Sequence, residues 1–290
     1  MMRRSPARSG LLVALFLLPG LALAQSALWR VSDGRHQLLI GGSVHALGAA
    51  DYPLPSAFER AYGEASRLVF ETDMAVISGV EFQLDMGERL SYTGEGSLRD
   101  DIDAETYRAL QAWCEEHGIP MAVVDRLRPP MVSLVVMMTE LQRLGIAGSG
   151  VEEYFYRRAE ADGKALAALE TPREQLAFLA GMGCGQEDAL IRNSLRDARN
   201  AAGMMTELKT AWRAGDAAAL ERLGIDPLRR EHPGLYRDLL VTRNRAWLGS
   251  LEALLATPET ELVLVGALHL VGEDGLLALL RRRGYRVSAY

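Results

Sequence analysis

Cysteine and histidine are scarce in this sequence, which has two cysteines and five histidines among 290 residues. Neither Cys114 nor Cys184 has a neighbour at the spacing of a zinc–thiolate ligand set, so we do not expect a structural zinc site of that kind. Whether the two cysteines pair or remain free stays open, because a disulfide requires an oxidising compartment. With so few histidines, a histidine motif that occurs twice is informative.

Several catalytic signatures are also missing. The sequence contains no Gly-x-Ser-x-Gly nucleophile elbow, no P-loop, no Gly-x-Gly-x-x-Gly fingerprint and no His-Glu-x-x-His helix. Basic residues are outnumbered, at 32 Lys and Arg against 38 Asp and Glu, which argues against nucleic acid as a partner. The mechanism that remains is activation of a water molecule, by a divalent metal or by a general base.

The N-terminus has the pattern of an export signal. Three arginines precede the apolar run Leu11–Leu18, and Ala22-Leu23-Ala24 then gives the small-x-small pattern of a signal-peptidase site. We interpret residues 1–24 as a signal peptide and Gln25 as the mature start, with a periplasmic or secreted product. An uncleaved anchor is the alternative. No later segment is apolar for long enough to span a membrane, so no membrane contact is expected after cleavage.

Apolar runs bounded by turns predict an α/β fold with a central mixed, mostly parallel sheet flanked by helices. The predicted strands are Trp29–Val31, Gln37–Ile40, Leu68–Phe70, Ala165–Glu170, Glu261–Val265 and Arg286–Ser288. The fourth is read as a strand because the capping box that begins at Thr171 starts a new helix. We expect one domain over residues 25–290, with a large helical insertion at about 80–160 and 187–256.

Two histidines share one motif. His45 lies in Gly42-Ser-Val-His45 and His269 in Gly266-Ala-Leu-His269, and both motifs follow apolar strands. Ligand crevices form at the carboxyl ends of strands in open α/β sheets. A glycine there lets the backbone turn closely, and histidine supplies a ligand or a base near neutral pH. We expect the other three histidines, His36, His117 and His232, to lie at the surface.

Two glutamates follow other predicted strands. Glu71 comes directly after Leu68–Phe70, and Glu170 ends the strand before the capping box. A buried carboxylate at a strand end needs a partner. Two histidines and one or two glutamates at one sheet edge are ligand types of a divalent metal site. The other reading is a cap or an ion pair, and it is stronger for Glu170.

Five segments resemble a known family and occur in its order: Gly42-Ser-Val-His45, Phe70-Glu71-Thr-Asp, Leu169-Glu170-Thr with Gln175, Arg243-Asn244-Arg-Ala-Trp247 and Gly266-Ala-Leu-His269-Leu. Through them, nearly all of the mature chain resembles the TraB/PrgY/GumN family. That family is similar to the Tiki-type metal-dependent proteases and, more remotely, to erythromycin-esterase-like hydrolases. The resemblance therefore implies a hydrolase-like site.

The resemblance also implies roles for residues. It implies that His45, Glu71 and His269 are catalytic and metal-binding residues, with Arg243 and Asn244 nearby. Arg243 is expected to hold a carboxylate or to stabilise an oxyanion; a solvated helix arginine is the alternative. The expected substrate contacts are Asn244, Glu170, Gly42 and Gly266.

Three functions are compatible with these observations. The leading hypothesis is an exported, metal-dependent hydrolase of a peptide or amide, with Mn, Co or Zn as the ion and no organic cofactor. The second is a metal-free, esterase-like hydrolase that uses His45 as base. The third is a non-catalytic protein that binds a peptide or another extracellular signal. The sequence leaves the substrate and the oligomeric state open.

Overall fold

The computed structural model describes residues 26–146 and 148–290. The predicted signal peptide, residues 1–24, and the predicted mature start at Gln25 lie outside the described residues. Within the described ranges, no helix combines the length and the apolar character needed to cross a membrane.

The strands form one mixed sheet and one small pair. Their bounds are β1 (Leu28–Ser32), β2 (Gln37–Ser43), β3 (Ala46–Leu47), β4 (Arg67–Phe70), β5 (Gly148–Ser149), β6 (Ala165–Ala168), β7 (Glu261–Gly266) and β8 (Arg286–Ala289). Six of them form a sheet in the order β6-β4-β7-β2-β1-β8, and β3 pairs with β5. The four strands from β6 to β2 are parallel, whereas β1 is antiparallel to both β2 and β8. The predicted mixed, mostly parallel sheet is confirmed.

Helices account for most of the remaining described chain. Their bounds are α1 (Ser56–Glu64), α2 (Met74–Ile77), α3 (Val80–Arg89), α4 (Leu98–Asp101), α5 (Ala104–His117), α6 (Met121–Val124), α7 (Pro129–Arg143), α8 (Val151–Asp162), α9 (Pro172–Gly181), α10 (Glu187–Ala214), α11 (Ala217–Leu220), α12 (Asp226–Glu231), α13 (Pro233–Tyr236), α14 (Arg243–Leu255) and α15 (Leu276–Arg282). The start of α9 follows from its cap: the Thr171 hydroxyl accepts the N–H of Glu174, whose carboxylate accepts the N–H of Thr171.

Two hydrophobic clusters stabilise the fold. The larger one surrounds the sheet, where every residue of β7 is buried because helices cover both faces. Its aromatic side chains include Phe58 and Trp212, whose ring centroids lie 5.7 Å apart. The smaller cluster joins α5, α7 and α10, for example through Leu110, Val136 and Ile191. The predicted helical insertion thus has a hydrophobic cluster of its own.

The strand β6 lies at one end of the sheet and is open to solvent. Its residues Ala165, Leu166 and Ala168 are exposed, and Leu166 retains 39% of its accessible surface. It carries neither a charged residue nor a proline. At the opposite end, β8 begins with the exposed Arg286.

The structure corrects one histidine and reports on the cysteines. His117 was predicted at the surface, but its side chain is only 4% exposed. Its ring stacks on Trp113, and its Nε2 lies 2.7 Å from Glu140 Oε1. The prediction failed because the partner carboxylate comes from a different helix, α7. Cys114 is buried, Cys184 is exposed, and both are free.

Candidate functional site

Three neighbouring parallel strands bring the predicted residues to one place. Glu71 directly follows β4, Gly266 ends β7, and His45 follows β2 by two residues. A Cβ atom at Gly266 would lie 3.3 Å from Glu71 Oε1, 3.4 Å from His45 Nε2 and 3.5 Å from His269 Cδ2. The three side chains therefore surround one point above the carboxyl end of β7, as parallel strand ends predict.

Glu71 is buried and fully engaged. Its Oε1 accepts the backbone N–H of Gly266 at 2.6 Å, and its Oε2 accepts Nη2 of Arg243 at 2.7 Å. The same Oε1 lies 3.8 Å from Nε2 of His269. A buried carboxylate with a guanidinium and a backbone donor is a satisfied charge.

Arg243 connects the site residues. Its Nε and Nη2 donate to the two oxygens of Glu170, at 3.0 and 2.7 Å, while Nη2 also donates to Glu71. Its Nη1 lies 3.1 Å from Nε2 of His269. Glu170 is adjacent to Glu71 because its backbone N–H bonds to the Glu71 carbonyl, continuing the β4–β6 ladder. Arg243 thus lies inside the site, as the family resemblance implies, and Glu170 holds it there.

The local helix geometry helps to place Arg243. The chain forms a π-helical turn over Arg237–Thr242 immediately before α14 begins at Arg243. Such turns are rare and are frequently found at functional sites. Trp247, one turn further on, donates its Nε1–H to Glu170 at 3.1 Å and packs under the guanidinium at 4.7 Å.

The hydrogen bonds of Asn244 assign the tautomer of His269. Asn244 Nδ2 donates to the carbonyls of His269 and Asp274, so Oδ1 is the atom 2.7 Å from Nδ1 of His269. Nδ1 therefore carries the ring proton, and Nε2 is the acceptor for Arg243, which can only donate. Every polar atom of the Asn244 side chain is used within the protein. Asn244 thereby orients the ring of His269, and the substrate contact that we predicted for it remains a prediction.

Glu71 and His269 both have a lowered pKa, which favours the charged form of Glu71 but the neutral form of His269. Burial favours neutral Glu71, but the positive charges of His269, Arg243 and His45 and the Gly266 N–H outweigh it and lower its pKa to about 2. Burial lowers the pKa of His269 to about 4, with Arg243 and His45 acting in the same direction. His269 is therefore neutral near pH 7, and the permanent charge that keeps Glu71 ionised is that of Arg243.

His45 has a different environment. Its side chain is 70% exposed, and only its Nδ1 edge is held, 2.7 Å from Oε1 of the buried Glu152. The carboxylate of Glu152, with a smaller contribution from Glu71, raises the pKa of His45 to about 9. Glu152 also accepts the hydroxyl proton of the buried Ser43. Sequence reasoning missed both residues.

The available signal for Glu152 was weak. Gly148-Ser149-Gly150 marks a tight loop before α8, and Glu152 stands in the first turn of that helix. Acidic residues are common there, since they interact favourably with the helix dipole. Nothing in the sequence connects this turn to His45, which lies more than 100 residues earlier.

The two motif glycines differ in function. Gly266 borders the point shared by Glu71, His45 and His269, where a side chain would fill the space. Gly42 is buried, and a Cβ there would lie 3.0 Å from the backbone of Ala267. Gly42 therefore lets β2 approach the second motif closely, and the substrate contact that we predicted for it remains a prediction.

The residues as arranged do not fit a metal ion. Within residues 26–146 and 148–290, no group of three or more His, Cys, Asp and Glu side chains is placed to hold one. Nε2 of His269 faces Arg243, and both Glu71 oxygens already accept N–H groups. A divalent cation here would lie beside a permanent guanidinium charge. The ion predicted for His45, Glu71 and His269 remains a prediction.

Comparison with known proteins identifies relatives along almost the whole chain. The profile of the TraB/PrgY/gumN family matches residues 27–289, a range that contains every candidate site residue. Two proteins named Uncharacterized protein YbaP, from Shigella flexneri and from Escherichia coli (strain K12), are each 28% identical over 249 residues. The match covers 85% of this chain and 88% of each relative. No solved structure gives a significant match.

Proposed function

This chain belongs to the TraB/PrgY/gumN family, and we propose that it is an exported hydrolase of peptide, amide or ester bonds that acts at the point beside Gly266. One observation carries the proposal. The exposed ring of His45 presents Nε2 to a buried, charge-balanced group of Glu71, Arg243 and His269. A solvent-accessible base above a fixed set of charges is what activation of a water molecule requires.

In this proposal the neutral ring of His45 removes a proton from water through Nε2. The resulting oxygen attacks the carbonyl carbon of the substrate, and the leaving group takes the proton as the bond breaks. Arg243 has five N–H groups, of which four bond to Glu170, Glu71 and His269. The fifth, on Nη1, has no protein partner within the described chain and is available to a substrate oxyanion.

This assignment fixes the direction of the pH dependence. Because Glu152 raises the pKa of His45 to about 9, the neutral form of the ring is the minor form at pH 7. Its fraction increases with pH and levels off above the pKa. If His45 is the base, kcat/KM should rise from neutral pH to about 9 and then remain constant.

The proposal includes a metal-dependent form, which the family resemblance favours. No step is derived through an ion, because His269 and Glu71 are engaged by Arg243. The two forms differ in their response to chelation: exhaustive chelation abolishes turnover by a metal enzyme and leaves the His45-based reaction unchanged.

The test uses purified residues 25–290 with two probes, a quenched fluorogenic peptide library and p-nitrophenyl acetate. Each probe is assayed after chelation and after addition of Mn²⁺, Co²⁺ or Zn²⁺. His45→Ala should lower turnover by about 10²–10⁴-fold. His36→Ala, at the β1–β2 turn, is the matched control and should retain full turnover. If the wild-type protein turns over neither probe under any condition, the hydrolase proposal is wrong and a binding protein is favoured.

A further inference from the structure

The carboxylate of Glu152 has an unusual set of partners. Its side chain is 9% exposed, and among the described residues no arginine or lysine lies within ion-pair distance of it. Its partners are the ring of His45, whose Nδ1 lies 2.7 Å from Oε1, and the hydroxyl of Ser43. A carboxylate removed from water needs such partners, and within the described part of the chain the exposed His45 is the one side chain beside it that can carry a positive charge.

The hydrogen-bonding capacities of these groups determine the orientation of His45. An ionised carboxylate only accepts, so both the Ser43 hydroxyl and the Nδ1–H of His45 must donate to it. Nε2 is then the ring nitrogen left for the site, and it is the one found near Glu71 and Gly266. Ser43 is part of the first Gly-x-x-His motif, so this motif also supplies the group that fixes the carboxylate.

Backbone contacts hold the start of α8 against the loop that carries His45. The N–H of Val151 donates to the carbonyl of Val44 at 3.1 Å, and β3 pairs with β5 directly after His45. A Cβ atom at Gly150 would lie 2.3 Å from the His45 carbonyl oxygen. Only a glycine allows the helix to start this close, so the contact is enforced from the main chain and does not depend on the side chains alone.

The Nδ1–H group donates a hydrogen bond in both motif histidines, but the two acceptors differ in charge. Nδ1 of the exposed His45 donates to a carboxylate, whereas Nδ1 of the buried His269 donates to the neutral amide of Asn244. A charged acceptor supports a proton-accepting role for the ring, and a neutral amide holds a ring as a fixed neutral group.

From this geometry we infer that Glu152, itself fixed by Ser43, is a positioning residue that holds Nδ1 of His45 and thereby directs Nε2 at the reacting point. The inference rests on the proposed function for its catalytic consequence, but the contact itself is measurable without any substrate. Glu152 contacts no reacting atom and acts only through His45.

The experiment compares Glu152→Gln with Glu153→Gln. Glu153 is the next residue of α8 and pairs with Arg157 at the surface, so its replacement is the matched control. In protein labelled with ¹⁵N-histidine, the Nδ1–H proton of His45 should resonate downfield and exchange slowly in the wild type and in Glu153→Gln. In Glu152→Gln the signal should move upfield and exchange faster, because a neutral amide is the weaker acceptor.

Turnover of p-nitrophenyl acetate provides the second readout. Measured above pH 9, where the ring of His45 is neutral with or without Glu152, Glu152→Gln should lower kcat by about 10–10³-fold with KM unchanged, and Glu152→Asp should recover part of the loss. An unchanged Nδ1–H signal, or a lost signal with unchanged kcat, overturns the inference. A Glu152-dependent signal in a protein that turns over no probe supports the positioning contact and refutes the hydrolase proposal, so the two failures are distinguishable.

Discussion

Arg243 neutralises two buried carboxylates, one from each of two adjacent parallel strands. Glu71 and Glu170 follow β4 and β6, and the proximity of their two negative charges would be unfavourable without a cation between them. The planar guanidinium donates to both carboxylates and also to His269. The single ammonium group of a lysine could not contact all three groups in this arrangement. The side chain is therefore important for the integrity of the site, in addition to the oxyanion contact that we propose for it.

Replacing this arginine should have a large effect on stability. Arg243→Ala leaves two buried carboxylates without a counter-ion, and we expect the free energy of unfolding to fall by about 3–5 kcal/mol. Arg245→Ala is the control, because the Arg245 side chain is 66% exposed; its effect should stay within about 0.5 kcal/mol. Urea unfolding at pH 7 measures both. Equal effects for the two variants would contradict the buried network.

His269 should make the protein sensitive to mild acid. Its folded pKa of about 4 lies below the ordinary value of 6.5, so the unfolded chain binds the proton first. Its contribution to stability is complete above pH 6.5 and is lost as the pH falls towards 4, to a total of roughly 3 kcal/mol. Urea midpoints between pH 7 and 4 measure this slope. His269→Gln should flatten it, and an unchanged slope would exclude His269 as its origin.

The sequence predicted some site residues and not others for a physical reason. His45, Glu71 and His269 lie at strand ends, and local hydrophobicity reveals strand ends. The contact of Glu152 with His45 depends on the packing of a helix against a loop far away in the chain, and no local pattern encodes such a pairing. The same reason accounts for His117, whose partner Glu140 lies on another helix.

At the scale of elements, the sequence predicts all six strands of the large sheet, β6 through the capping box that follows it, but it does not predict their order. The last strand, β8, pairs with the first, β1, across the whole length of the chain. Pairing of this kind is decided by tertiary packing and not by local propensity. Parallel character could be inferred, because strands alternating with helices favour crossover connections.

The start of α8 provides a test at this scale. Gly150→Ala would place a Cβ 2.5 Å from the Val44 carbonyl oxygen, so α8 must move away from the loop. We expect a loss of about 2–3 kcal/mol in unfolding free energy, together with loss of the downfield Nδ1–H signal of His45. Gly203→Ala lies on an exposed part of α10 with open space and should stabilise the protein by about 0.5–1 kcal/mol. Both are measured by urea unfolding, and stabilisation by both substitutions would contradict the close packing.

At the scale of the whole molecule, the helical insertion is more than a cover for the sheet. Its parts α5, α7 and α10 form a separate hydrophobic cluster, while α8 and α14 contribute Glu152 and Arg243 to the site. The site is therefore assembled from strand ends that the sequence predicts and from helices whose docking it does not.

The proposed export makes a testable prediction for the 290-residue sequence. A tagged full-length protein expressed in a Gram-negative host should be recovered from the periplasmic fraction with Gln25 as its first residue. Substituting the three N-terminal arginines by glutamate should retain it in the cytoplasm, because the positive n-region is needed for targeting. N-terminal sequencing of the periplasmic protein is the measurement, and an intact Met1 there would contradict cleavage.

The open strand β6 bears on how the protein behaves at high concentration. An outer strand without charge or proline offers its backbone groups to another molecule, and natural proteins usually guard such edges. Solutions of this protein should therefore show reversible self-association that increases with concentration, visible by sedimentation velocity. Leu166→Lys, at an exposed position of the strand, should suppress it, and Ser288→Lys, at an exposed position of β8 on the opposite edge, should not. Preparation for crystallisation or storage would benefit from the first substitution.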